Sequence, residues 1–104
     1  MIVEKRTYTL HIGKVAEYMK HYKAEGLAIQ TRILPKMVGW FYSDIGELNQ
    51  IVHLWGYDSL AEREKRRGAL AADPEWQAYL AQSPDIIVKM ESRILVPAPF
   101  SPIR

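Results

Sequence analysis

LNQIVHLWGYDSL, residues 48–60, is the stretch that decides the fold. Side chains of a β-strand alternate faces with a period of two. Asn49, Ile51, His53, Trp55 and Tyr57 therefore share one face. Asp58 and Ser59 end the strand, and Ser59 with Glu62 three residues later is a capping-box pattern that starts a helix. One imidazole, one indole and one phenol thus project together, either as a packing face or as the wall of a small-molecule pocket.

The elements on either side follow from the same reading. Upstream, MVGWFYS (residues 37–43) is a short aromatic strand, and Asp44-Ile45-Gly46-Glu47 is a turn of residues that tolerate unusual backbone angles, so the two strands form a hairpin. Ile2 to Ile12 alternates as a first strand: Ile2, Tyr8, Leu10 and Ile12 share a parity with the charged pair Glu4 and Arg6. Val15, Tyr18, Met19, Tyr22, Gly26, Ile29 and Ile33 form a helical stripe that Pro35 ends. Gly26 interrupts that stripe, which points to a close packing contact or a kink. Downstream of Ser59 the helix runs through AEREKRRGALAA. Asp73-Pro74 caps a further helical piece, EWQAYLAQ, which Ser83-Pro84 stops. Asp85 to Val96 is the fourth strand, and PAPFSPIR is an extended proline-rich tail. The order strand, helix, strand, strand, helix, strand is the ferredoxin-like βαββαβ pattern, an α+β fold. It has a four-stranded antiparallel sheet with both helices on one face.

A chain of 104 residues is one domain, 1–104. Its net charge of +2 is too small to argue for nucleic acid. It has no cysteine, and so no disulfide, thiolate metal site or cysteine nucleophile. The start MIVEKRTYTL is not a signal peptide, and no run approaches a bilayer span, so a cytoplasmic protein without membrane contact is the expectation.

The strands are apolar on both parities. Ile86, Val88, Met90, Ile94 and Val96 face one way, and Ile87 and Leu95 the other. Val52 and Leu54 lie opposite Ile51, Trp55 and Tyr57. Helices cover one face only, so a second surface must cover the other; the simplest is a twofold homodimer. Phe100, between prolines, would then anchor across the partner.

Candidate chemistry centres on the third strand and second helix. His53 is the candidate catalytic residue, as a proton carrier or hydrogen-bond donor, against a structural role bonded to a neighbour. Arg63 and Arg67 fall on the inward stripe of the helix, while Glu62 can pair with Arg66. A buried guanidinium needs a partner, so these two either clamp an acidic ligand or pair internally, with Glu91 and Asp73 as the acids considered. Asn49, Trp55 and Tyr57 complete the candidate ligand site, and Trp40, Trp55 and Trp76 either line an apolar pocket or pack in the core or an interface. Neither paired histidines nor an acidic cluster suggests a metal, and no cofactor is called for.

Three segments in this order, LNQIVHLWGYDSLAEREKRRGAL, DPEWQAYL and ESRILVPAPFSP, resemble the NIPSNAP family of the dimeric α+β barrel superfamily. The resemblance covers essentially the whole chain. It implies a homodimer in which two sheets pair into a barrel, and it implies no settled activity. Relatives by fold include antibiotic-biosynthesis monooxygenases and haem-degrading enzymes with sites between sheet and helices. Three functions stand at this point: a binder of a small acidic or aromatic ligand that could act as a cofactor-free enzyme, a homodimeric protein-interaction module, and a haem-binding or monooxygenase-like protein.

Overall fold

The computed structural model describes residues 1–104. Four strands, β1 (Ile2–Leu10), β2 (Met37–Tyr42), β3 (Gln50–Tyr57) and β4 (Ile87–Leu95), form one antiparallel sheet in the order β2-β3-β1-β4. The helices are α1 (Val15–His21), α2 (Leu27–Ile33), α3 (Leu60–Ala72) and α4 (Pro74–Gln82). This is the expected ferredoxin-like α+β arrangement.

β1 runs down the middle, and its register fixes which side chains share a face. Glu4 lies between Trp55 and Ile94, Arg6 between His53 and Ser92, and Tyr8 between Ile51 and Met90. Directly opposed residues point the same way. Ile51, His53, Trp55 and Tyr57 are all buried, so this is the face that meets the helices. His53 is therefore inside, under the helices.

The first helical stretch departs from a single regular helix. Between α1 and α2 the turn Tyr22–Gly26 is a π-turn, and it rephases the inward stripe. Beyond it the buried positions are Tyr22, Gly26, Gln30 and Leu34, while Ile29 and Ile33 are only half-buried. A stripe drawn at constant 3.6-residue pitch cannot register that extra residue. Gly26 has a reason besides the kink. A Cβ there would sit 2.7 Å from Tyr79 Cζ, so the ring of α4 lies on bare backbone.

The start of α3 and both ends of the α3–α4 turn follow the capping chemistry read from sequence. Ser59 Oγ accepts from the Glu62 amide at 3.1 Å, and Asp73 Oδ1 accepts from the Trp76 amide at 3.0 Å. Glu62 also accepts from Arg66 Nε at 2.8 Å.

The core divides in two. Tyr8, Leu10, Ile51 and Ile86 pack at one end of the sheet, and Leu34, Trp55, Tyr57 and Leu70 at the other. The helices leave β4 uncovered even on their own side: Met90 and Ile94 remain exposed. On the opposite face Val3, Val38, Leu54 and Leu95 border a shallow hollow with the tail residues Pro97, Ser101 and Ile103. The tail is not extended throughout. It turns, with the Ser101 amide donating to the Ala98 carbonyl at 2.9 Å, and leaves Phe100 89% exposed. No helix of the protein is long and apolar enough to cross a membrane.

Candidate functional site

Between the sheet and the helices, at the end held by the first core cluster, lies a pocket of about 300 Å³. Its floor comes from the sheet: Tyr8, Trp40, His53 and Met90. Its walls come from the first helical stretch through Tyr18, His21, Tyr22 and Gln30, and from α4 and the loop after it through Trp76, Tyr79, Leu80 and Ser83. The aromatic rings hold one another in place. Trp40 stacks on His53 at 5.9 Å, on Tyr22 at 5.5 Å and on Tyr18 at 6.3 Å between centroids. Tyr8 meets His53 edge-on at 4.9 Å. Such contacts add to plain area burial and fix the ring orientations.

The protonation of His53 follows from its partner. Trp55 Nε1 lies 2.6 Å from His53 Nδ1. An indole nitrogen can only donate, so Nδ1 is the acceptor and the single proton of the neutral ring sits on Nε2. Burial pulls the pKa of His53 down, and the positive charges of Arg6 and Arg67 pull it further, to about 3, against the opposing charge of Glu4. His53 is thus a neutral imidazole fixed as one tautomer, and it lines the pocket as a hydrogen-bond donor.

Among the remaining polar groups of the pocket, the Tyr22 and Ser83 protons are committed within the chain and the Gln30 amide is left as a donor. Tyr22 Oη donates to Gln30 Oε1, which leaves the Gln30 amide NH₂ for an occupant. Burial, followed by the neighbouring phenols, pushes Tyr18 and Tyr22 well above the usual tyrosine range, so both keep their protons. His21 Nε2 lies 3.2 Å from Ser83 Oγ, whose own proton goes to the Tyr79 carbonyl at 2.7 Å. That bridge ties α1 to the loop after α4 at the mouth of the pocket. No aspartate or glutamate lines the cavity.

Of the six candidate catalytic and ligand-binding residues only His53 lines this pocket, and of the three tryptophans Trp40 and Trp76 do. Trp55 and Tyr57 are fully buried in the second core cluster. Trp55 acts on the pocket indirectly, by fixing the His53 tautomer. Asn49 lies in the β2–β3 turn with φ +62°, where its Oδ1 accepts from the Gly13 amide at 3.0 Å and its carbonyl from the Leu10 amide at 2.8 Å. It clasps the end of β1.

Arg63 and Arg67 converge on a carboxylate beside the pocket, and the acid is Glu4 in place of Glu91 or Asp73. Glu91 pairs with Lys89, and Asp73 with Arg32. Glu4 is completely buried. Its Oε2 accepts from Arg63 Nη2 at 2.8 Å, from Arg6 Nη1 at 3.1 Å and from Ser92 Oγ at 2.6 Å. Its Oε1 accepts from Arg67 Nε at 3.3 Å and from Tyr57 Oη at 3.4 Å. Burial alone would raise the Glu4 pKa. The hydrogen bonds of Arg63 and Ser92 and the charges of Arg67 and Arg6 outweigh it and hold the carboxyl at about 2. Arg6 joins the two assemblies, because its Nε donates to Tyr8 Oη at 3.0 Å.

The sequence did not single out Glu4, Arg6 or Ser92 for the site, nor the tyrosine walls of the pocket. Glu4 and Arg6 did carry a signal, since both interrupt an otherwise apolar parity of β1. The tyrosine walls carried none, because their rings come from elements far apart in the chain.

The chain matches known proteins along its whole length. A family model described as NIPSNAP matches residues 3–102. A NIPSNAP family protein of Agrobacterium tumefaciens, solved by crystallography, is 48% identical with a TM-score of 0.95, covering 99% of this chain and 98% of that one. Protein NipSnap homolog 2 of Danio rerio is 35% identical over 104 residues, covering 99% of this chain and 35% of the relative. The chain spans between 19% and 36% of the length of the first three curated relatives it matches. A putative antibiotic biosynthesis monooxygenase of Nitrosomonas europaea has a TM-score of 0.65 at 10% identity, covering 93% of this chain and 98% of that one, and shares the fold alone.

Proposed function

The chain belongs to the NIPSNAP family, and we propose that it binds a small planar aromatic molecule bearing a hydrogen-bond acceptor in the pocket between sheet and helices. The observation that carries this reading is the neutral His53, locked with its proton on Nε2 inside an aromatic cavity of about 300 Å³. Ligand pockets are mostly apolar with a few placed polar groups, and this volume lies at the lower end of their range. It suits one or two fused rings, whereas a four-pyrrole macrocycle such as haem is too large for it. A carbonyl or phenolic oxygen of the ligand would accept from His53 Nε2–H.

Binding of coumarin, which has a carbonyl, and of naphthalene, which has none, tests this directly by thermal shift and calorimetry. Coumarin is expected to bind about tenfold more tightly, as one hydrogen bond to a buried donor warrants. His53→Leu should remove that preference while keeping the affinity for naphthalene. A wild-type protein that responds to neither compound would contradict the reading.

A catalytic role for His53 would be that of a donor to a developing oxyanion, since a ring with a pKa near 3 is a poor base at neutral pH. The same reading takes the working unit to be a homodimer. What supports this is apolar surface on the open side of the sheet and along β4, with Phe41 and Leu95 exposed and Phe100 standing free. Sedimentation should give twice the 12.0 kDa chain mass at micromolar concentration; a species at the chain mass would contradict it.

A further inference from the structure

The assembly around Glu4 is out of charge balance. Three guanidinium groups, Arg6, Arg63 and Arg67, surround one buried carboxylate. Charged groups removed from water are ordinarily matched by an opposite charge, and an unmatched one is costly. No second acid is at hand: Glu62 is taken by Arg66, and Glu91 by Lys89.

The hydrogen bonds show the same deficit. Arg63 Nε and Arg67 Nη2 are buried, and no acceptor of the chain lies within reach of either. Buried polar groups in folded proteins nearly always have partners, so two orphans on two neighbouring cations are a specific sign of a missing acceptor. The three guanidinium groups are not sealed off. The side chains of Arg6, Arg63 and Arg67 keep 17%, 30% and 18% of their exposure. Ser92, which donates to the same Glu4 oxygen as Arg63, lies exposed on β4, where no helix covers the sheet.

We infer that Arg6, Arg63 and Arg67 form a binding site for a compact oxyanion, a carboxylate or phosphate group, entered from the β4 side. Glu4 organises the three forks, and the anion offsets the excess positive charge. Guanidinium presents paired donors that match both oxyanions, so either chemistry meets the geometry. None of the three arginines lines the aromatic pocket, and the site stands whether or not that pocket binds a ligand. Two residues that line the pocket meet Arg6, Tyr8 by a hydrogen bond and His53 by strand register.

Thermal midpoints of the wild type measured with sodium phosphate, sodium acetate or sodium chloride at equal ionic strength test the site. Phosphate or acetate should raise the midpoint saturably by at least ~4 °C above chloride, and the one that does so names the group. Arg63→Gln should abolish that rise. In the wild type, the Nε–H proton signals of Arg63 and Arg67 should move along the same saturation curve, a readout that needs no variant to fold. Equal midpoints in all three salts, or a rise that Arg63→Gln leaves intact, would overturn the inference.

Discussion

Glu4→Gln is expected to destabilise the protein by about 3–5 kcal/mol, the range found when one partner of a buried ion pair is removed. The substitution is nearly isosteric, so the loss would be electrostatic. Glu4 is the only anion among Arg6, Arg63 and Arg67 and accepts five hydrogen bonds. An amide would leave three cations close together with one carbonyl oxygen among them. A domain of this size has only about 5–15 kcal/mol of total stability. The variant should therefore unfold at much lower urea concentration, or fail to accumulate. Arg63→Gln should cost far less, about 1 kcal/mol or below, because that side chain is partly exposed and two other guanidinium groups still serve Glu4. Equal losses from the two substitutions in urea titrations would contradict this ordering.

Stability should also fall as the medium is acidified from pH 6.5, at a slope set by His53. Its pKa in the fold is about 3 against an ordinary value of 6.5. Between those values the unfolded chain binds a proton at this position and the folded chain does not. Unfolding free energy therefore rises with pH across that window, by at most about 1.4 kcal/mol per pH unit, and the contribution is complete above pH 6.5. Glu4 acts in a different range. Its pKa is depressed to about 2, so its contribution is present above pH 4.5 and disappears as pH falls from there toward 2. The interval from 6.5 to 4.5 thus isolates the histidine. His53→Gln should flatten the profile there and leave the steeper loss below pH 4 in place. An unchanged slope in the variant would assign the effect to another group.

Much of the fold was legible because its determinants are local. Alternation in residues 2–12 and 48–57, the caps at Ser59 and Asp73, and the stop at Pro35 each depend on a few adjacent residues. Their order restricts the topology to very few possibilities. The rephasing at Tyr22–Gly26 was not legible in detail, because a π-turn inserts one residue without any composition of its own. Gly26 marked the place without revealing the mechanism.

The site was legible by halves. A strand carrying His53, Trp55 and Tyr57 on one face drew attention to the right face, and two arginines on an inward stripe implied a partner. The division of labour was hidden. Adjacent residues on a strand face are about 7 Å apart, enough for His53 to open on a cavity while Trp55 and Tyr57 fill the core. The partner of the arginines is more than fifty residues away in sequence, and only the pairing of β1 with β3 and β4 brings it under α3. The pocket walls come from α1, the π-turn, α2 and α4 together, which no single window of sequence can display.

The donor character of the pocket depends on a neutral His53 with its proton on Nε2. Long-range proton–nitrogen NMR of the imidazole, followed from pH 8 to pH 5, measures this directly. The expected result is one protonated nitrogen, Nε2, and one bare nitrogen, Nδ1, with shifts that do not move across the range. A proton on Nδ1, or a titration midpoint near 6.5, would contradict it.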